Sequence, residues 1–338
     1  MARGNRLLWI TSVAAAALAG SPDPGIARQS QAAVETPRQP AQSPKETRLA
    51  RGKYLVEHVG ICLYCHSEID WKAPGFPQIE GAKGGGAVFP DKSVPGLVVS
   101  RNITPQALGD CTDEQIARAI REGSGCDGTR LFPVMPYHFF RAMSDDDVAA
   151  VVAYVRALPP VKRELPANKI PDEVWASLPP PESITAPVVA PARSDKAAYG
   201  RYLTTIGLCV ECHTPVDQRG APIPGLTFAG GRVFDGPWGR VAGANLTPDP
   251  SGIPYYDEAL FRQVLHTCKV KARELNHIMP CEYFKGLTDE DVSAIFAFLR
   301  TLPPVAHDVS NIDDPTPCRR CGQPHGLGER NEPVPPAP

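Results

Sequence analysis

The segments Cys62-Leu63-Tyr64-Cys65-His66 and Cys209-Val210-Glu211-Cys212-His213 repeat one arrangement of two cysteines, two spacers and a histidine. Thiols three residues apart fall on one side of a helical turn, so both can bond to the two vinyl groups of one porphyrin. The histidine that follows is then held beneath the iron, and the pattern is that of c-type haem attachment. One copy alone would also fit a local disulfide, half a zinc site or a thioredoxin-like redox pair. Two copies in matching surroundings favour two haems.

An iron bound by His66 or His213 keeps one position open on its other face. The chain has four methionines, Met1, Met135, Met143 and Met279. Met135 and Met279 occupy equivalent places in the two halves, each followed by a proline that stiffens its loop, and are the expected axial partners. Met143 aligns with Leu287 and reads as a core side chain. The competing histidines are His58, His138, His266, His277, His307 and His325. None has a histidine at its equivalent position, and His138, the nearest to a ligand loop, faces Glu282 in the alignment of the halves. Histidine and methionine together saturate the iron and raise its potential, which suits electron transfer rather than oxygen or peroxide binding.

Ten cysteines less the four of the two motifs leave Cys111, Cys126, Cys268, Cys281, Cys318 and Cys321. The simplest pairing joins Cys111 to Cys126 and Cys268 to Cys281, each closing a loop that leads toward a methionine, although fifteen connectivities are formally open. Cys318-Arg319-Arg320-Cys321 begins like a third motif but has Gly322 in place of the histidine. A local disulfide is the expectation there, with a weak three-ligand metal site including His325 as the other reading.

The elements that hold these residues are themselves duplicated. Gly52-Lys53-Tyr54-Leu55 returns as Gly200-Arg201-Tyr202-Leu203, Gly85-Gly86 as Gly230-Gly231, and Asn102-Ile103-Thr104-Pro105 as Asn245-Leu246-Thr247-Pro248. Leu158-Pro159-Pro160-Val161 returns as Leu302-Pro303-Pro304-Val305. A period of about 145 residues marks a duplicated domain. Ser144 and Thr288 start acidic first turns of helices whose apolar residues recur at helical spacing, and a second helix pair spans Asp113 to Glu122 and Asp257 to His266. The glycine-rich stretches Gly81 to Gly86 and Gly225 to Gly231 follow no strand and open no helix, so they read as loops against a flat ligand rather than phosphate cradles.

Arg3 and Arg6 precede an apolar run from Leu7 to Ala19 with small residues where a signal peptidase would cut. About thirteen apolar residues are too few to cross a bilayer comfortably. Losing residues 1–19 removes two arginines and no acid, moving the formal charge from −2 to −4, and this mild acidity excludes bulk nucleic-acid binding. Residues 20–45 read as a disordered tether. Seven prolines between Lys162 and Asp195 read as an extended strap, and the tail 309–338, with Cys318, Cys321 and many prolines, reads as a surface segment.

Each half resembles a class I cytochrome c domain, and the pair resembles the cytochrome c subunits of membrane-associated bacterial dehydrogenases for alcohols, aldehydes, gluconate or sorbitol. The resemblance rests on the haem motifs, Asn102 to Pro105 with Asn245 to Pro248, Met135-Pro136 with Met279-Pro280, and the two Leu-Pro-Pro-Val segments, over roughly 46–163 and 195–306. It implies a mostly α fold of two tandem domains, 46–163 and 195–308, joined by the proline-rich linker 164–194. It further implies two covalently bound haem c, held by Cys62, Cys65, Cys209 and Cys212 and ligated by His66, Met135, His213 and Met279. Haem attachment outside the cytoplasm makes the protein periplasmic, with membrane association through partners. Those partners would be a donor dehydrogenase subunit and a quinone-linked oxidase or soluble cytochrome acceptor. The other function class is a di-haem peroxidase, which needs a releasable sixth ligand and an acid/base group over one iron.

Overall fold

Ser43 accepts a hydrogen bond from the Glu46 amide while the Glu46 carboxylate accepts one from the Ser43 amide, and this capping box starts the first helix. The computed structural model describes residues 43–333 except 93, 218 and 219. The expected signal segment 1–19 and nearly all of the expected tether 20–45 lie outside these residues; helix α1 begins at Pro44.

In the first half, α1 (Pro44–Tyr54) runs into one π-helical turn (Leu55–Val59) and then α2 (Cys62–Cys65). Strands β1 (Ala87–Val88) and β2 (Val99–Ser100) follow, then α3 (Pro105–Leu108), α4 (Asp113–Glu122), α5 (Tyr137–Phe140) and α6 (Asp145–Val155). The second half repeats the sequence with α8 (Lys196–Ile206), α9 (Cys209–His213), β3 (Val233–Gly236), β4 (Gly239–Ala242), α10 (Glu258–Thr267), α11 (Cys281–Phe284) and α12 (Asp289–Leu299). A short hairpin, β5 (Lys269–Val270) with β6 (Arg273–Glu274), follows α10. The described sheets are four antiparallel pairs of two strands each. The expected helices are all present, with Ser144, Thr288 and Asp257 each capping by accepting an amide hydrogen bond.

The repeated Gly-x-Tyr-Leu segments have two jobs. A Cβ on Gly52 would sit 1.9 Å from the Ala150 carbonyl oxygen, and one on Gly200 would sit 1.9 Å from that of Ala294. Helix α1 therefore crosses α6, and α8 crosses α12, backbone against backbone, where only glycine fits. The tyrosines tie the halves to each other. Tyr54 donates to Asp291 at 2.7 Å and Tyr202 to Asp147 at 2.6 Å, and each phenol oxygen accepts from the amide of the partner helix's cap, Thr288 or Ser144, at 3.2 Å. Arg51 pairs with Asp147 within the first half, and Arg193, at the end of the proline-rich stretch, pairs with Asp291. A single hydrophobic core continues across both halves, from Leu55, Val59 and Met143 to Leu203, Phe298 and Leu299.

Two expectations are corrected. The proline-rich stretch is not extended throughout: α7 (Asp172–Ser177) interrupts it, with Trp175 set edge-on to Phe132 and Lys169 bridged to Leu97. The tail is no loose surface segment: β7 (Ser310–Pro317) pairs with β8 (Pro324–Gly326), and Cys318, Cys321 and His325 are buried. No described helix is long and apolar enough to cross a membrane.

Candidate functional site

Ile61 and Leu208, in the left-handed region at φ 42° and 59°, turn the chain sharply into α2 and α9. Each cysteine pair thus sits on a one-turn helix, with the histidine at its end. His66 Nδ1 lies 2.6 Å from the Arg101 carbonyl, and His213 Nδ1 lies 2.7 Å from that of Ala244. A carbonyl can only accept, so each Nδ1 carries the proton and each Nε2 keeps its lone pair. Such a carbonyl partner fixes tautomer and ring orientation in metal-ligating histidines. Burial holds both imidazoles below their ordinary pKa, the carbonyl contacts opposing it.

The repeated motifs explain how those carbonyls are placed. Asn102 Oδ1 accepts from the amide and hydroxyl of Thr104, both at 2.8 Å, while Asn102 Nδ2 donates to the Val161 carbonyl at 2.7 Å. Asn245 does the same with Thr247 and the Val305 carbonyl, at 2.9, 2.8 and 2.8 Å. The Asn-x-Thr-Pro segment is thereby locked to the Leu-Pro-Pro-Val segment. The residue immediately before each asparagine offers its carbonyl to the histidine.

The glycine loops occupy the equivalent place in both halves, one residue out of the expected register. Gly86 donates to the His66 carbonyl at 2.9 Å and Gly230 to that of His213 at 2.8 Å, while Gly84 and Phe228 accept from Ile103 and Leu246. Gly86 therefore matches Gly230, and the left-handed φ of 75° at Gly84 matches 60° at Phe228. Gly231 has a separate reason to be glycine, given below.

Cys65, Cys209, Cys212, His213 and Met279 line one cavity of about 930 Å³, together with Tyr64, Trp71, Trp238 and the prolines flanking Met135. Cys62, His66 and Met135 lie outside its lining, and Cys62 and Met135 pack against the core beside it. The four motif cysteines carry no disulfide. Burial pushes Cys62, Cys65 and Cys209 up to about 12 and Cys212 to about 11. Reactive exchange thiols typically have a lowered pKa, and burial acts in the opposite direction on these four.

Met135 and Met279 sit alike: each carbonyl accepts from the amide two residues on, past a proline with φ near −80°, at the entrance to α5 or α11. Met143 is 1% exposed and Leu287 6%, both in the core. Their carbonyls accept from Arg121 and His266, which stand at the same position of α4 and α10. The other histidines have partners of their own: His58 the Tyr283 carbonyl, His277 Glu274, and His138, half-exposed, Glu211 at 4.0 Å. The disulfides Cys111–Cys126 and Cys268–Cys281 are present as expected. The third expected pair is not, since Cys318 and Cys321 are both free.

Two residues escaped the sequence reading. The Tyr64 hydroxyl and Trp238 Nε1 are buried, belong to residues lining the cavity and have no hydrogen-bond partner among the described residues. Both can donate, so the walls hold donors aimed at an acceptor such as a carboxylate. The signals were slight: Tyr64 is a spacer inside the first motif, and Trp238 sits in the turn between β3 and β4.

No protein-family model matches the chain. It is 29% identical over 286 residues to a fructose dehydrogenase cytochrome subunit of Gluconobacter japonicus, covering 78% of this chain and 54% of that one. It is 32% identical to the cytochrome c subunit of a quinone alcohol dehydrogenase of Gluconobacter oxydans, over 57% of this chain and 40% of the relative. A diheme cytochrome c-type protein of Cereibacter sphaeroides is 28% identical over 73% of this chain and 83% of its own length. The chain thus resembles cytochrome c subunits of bacterial dehydrogenases and a di-haem cytochrome, proteins named for carrying haem rather than as catalytic subunits. It spans about half the length of the fructose and alcohol dehydrogenase subunits it matches.

Proposed function

We propose that this protein is an exported, periplasmic two-haem cytochrome, built of tandem class I domains at 46–163 and 195–308, that carries electrons from a dehydrogenase to a respiratory acceptor. The observation that carries this reading is that one cavity takes Cys65 from the first motif and Cys209, Cys212 and His213 from the second. Free, protonated thiols, a cavity of about 930 Å³ and buried donors at Tyr64 and Trp238 fit a large flat ligand with carboxylate arms. When bound, haem c supplies a one-electron redox centre.

The chain's own residues do the rest. Cys62 and Cys65 hold one porphyrin and Cys209 and Cys212 the other. His66 and His213, oriented by the Arg101 and Ala244 carbonyls, offer Nε2 to the metals. Met135 and Met279 would each supply a second protein ligand to one metal, and an iron so saturated would carry electrons rather than bind exogenous ligands. Apolar side chains around the second site, including Phe261, Leu265 and Leu299, lower the local polarity and favour a raised potential. The named functions of the relatives make a dehydrogenase subunit the natural donor.

Carbon monoxide added to the reduced protein should leave the visible spectrum essentially unchanged. Rapid stoichiometric binding at either site would overturn methionine ligation and favour a peroxidase-like enzyme. Affinity purification of the tagged chain from native membranes should bring down a flavin, quinoprotein or molybdenum dehydrogenase subunit; recovery of the chain alone would overturn the assignment to such a complex.

A further inference from the structure

His307, Cys318, Cys321 and His325 are all buried, between 0% and 4% exposed, and their ligand atoms lie within 4.8 Å of one another. His307 Nε2 is 3.4 Å from Cys318 Sγ, and His325 Nε2 is 3.3 Å from Cys321 Sγ. A tetrahedral zinc with Zn–S of about 2.3 Å and Zn–N of about 2.0 Å separates a sulfur from a nitrogen ligand by about 3.5 Å. Each histidine also places Nδ1 on a carbonyl, His307 on Ala229 at 2.9 Å and His325 on Gly326 at 3.1 Å. That contact leaves both Nε2 lone pairs aimed at the sulfurs. The Cys321 amide points at Cys318 Sγ from 3.4 Å, an arrangement that suits a thiolate acceptor.

We infer that these four side chains form a structural zinc site of two thiolates and two imidazoles, separate from the haem motifs. The surroundings are built for it. A Cβ on Gly231 would lie 2.5 Å from His307 Cε1, and Gly231 has φ 88°, so a side chain there would evict the histidine. Gly322, at φ 74°, turns the chain out of the cysteine knuckle between β7 and β8. The tail's own apolar contribution is slight: among the described residues, Cys318 and Cys321 form a small cluster with Leu226, Ala229, Ile223 and Val305. A segment with so small a core needs a staple, and a closed four-ligand metal supplies one. The ion would join the tail to His307, whose Nδ1 holds the Ala229 carbonyl of the Gly-rich loop, and the Gly230 amide of that loop binds the His213 carbonyl. The tail would thereby brace the second site.

The full-length protein, matured by export and purified without chelator, should contain one zinc per chain by elemental analysis. Its zinc-edge absorption should fit two sulfurs at about 2.3 Å and two nitrogens at about 2.0 Å. His307→Ala and Cys321→Ser should each cut bound zinc at least tenfold, while Arg319→Ala, between the ligands, should retain it. The wild-type spectrum decides the matter even if a ligand variant fails to fold. A zinc-free chain with Cys318 and Cys321 joined on non-reducing peptide mapping would overturn the site. So would a zinc shell without sulfur.

Discussion

Met135, Met143 and Met279 share one side chain and differ only in where the fold puts it. Met143 is enclosed by the core, so Met143→Ala should cost about 2–5 kcal/mol in thermal or denaturant unfolding while leaving the haem spectrum alone. Met279→Ala and Met135→Ala should do the reverse. Each should open one iron to carbon monoxide and lower its midpoint potential in a redox titration, with a smaller loss of stability because both residues are only partly buried. A Met143→Ala protein with an altered spectrum would sink the assignment of ligands. The equivalent placement of Met135 and Met279 and the burial of Met143 were legible in the sequence, because a Met-Pro pair recurs in both halves and Met143 has an aliphatic counterpart. His307 was not legible as a ligand. It lies outside the Cys-x-x-Cys segment, and only the packing of the tail on the Gly-rich loop brings it to Cys318.

At the scale of elements, the duplicated tyrosines do what no local pattern announces. Tyr54 and Tyr202 read as members of a repeated helix segment, and their use is tertiary: each reaches out of its own half to the first-turn aspartate of the other half's last helix. Losing one hydrogen bond to a charged group typically costs about 1.5–3 kcal/mol, so Tyr54→Phe and Tyr202→Phe should each lower stability at pH 8 by roughly that amount. Burial, and then the neighbouring Asp291 or Asp147, raise both phenols above their ordinary value near 10. A phenol raised in the folded state favours folding fully below the unfolded value and loses that contribution as pH climbs toward the folded one. The stability gap between wild type and the Phe variants should therefore narrow above pH 10, as chemical unfolding at stepped pH would reveal. A gap that stayed constant would mean that the phenols are not held by the aspartates. The four longer helices α4, α6, α10 and α12, the Ser144 and Thr288 caps and the two disulfides near the methionine loops were readable from spacing and turn chemistry, whereas α7 and the free Cys318 and Cys321 were not. The glycine loops were misregistered by one residue, because their alignment depends on which amide reaches the histidine carbonyl rather than on a run of glycines.

For the whole molecule, the question is what keeps the two motifs on one cavity. The proline-rich stretch is covalent but contributes little packing between halves. Its residues Thr185 to Pro187 are exposed, and nearby Ile184 and Val188 bind Glu122 and Asp145 of the first half. The halves are held instead by the shared core, by the reciprocal tyrosine ties, and by Tyr64 set edge-on to Tyr283 at 5.5 Å. Apolar burial on this scale outweighs the entropy gained by freeing one loop, which grows only slowly with loop length. A protease site placed at Thr185 to Pro187 and cleaved in the folded protein should leave both fragments co-eluting on size exclusion at neutral pH, with the carbon monoxide response unchanged. Cleavage in the Tyr54→Phe, Tyr202→Phe double variant should weaken the association and split a fraction of the fragments at low concentration. Separation of the wild-type fragments on cleavage would mean that the strap, not the interface, holds the two sites together. The shared cavity would then be a consequence of the tether rather than a rigid path between two fixed centres.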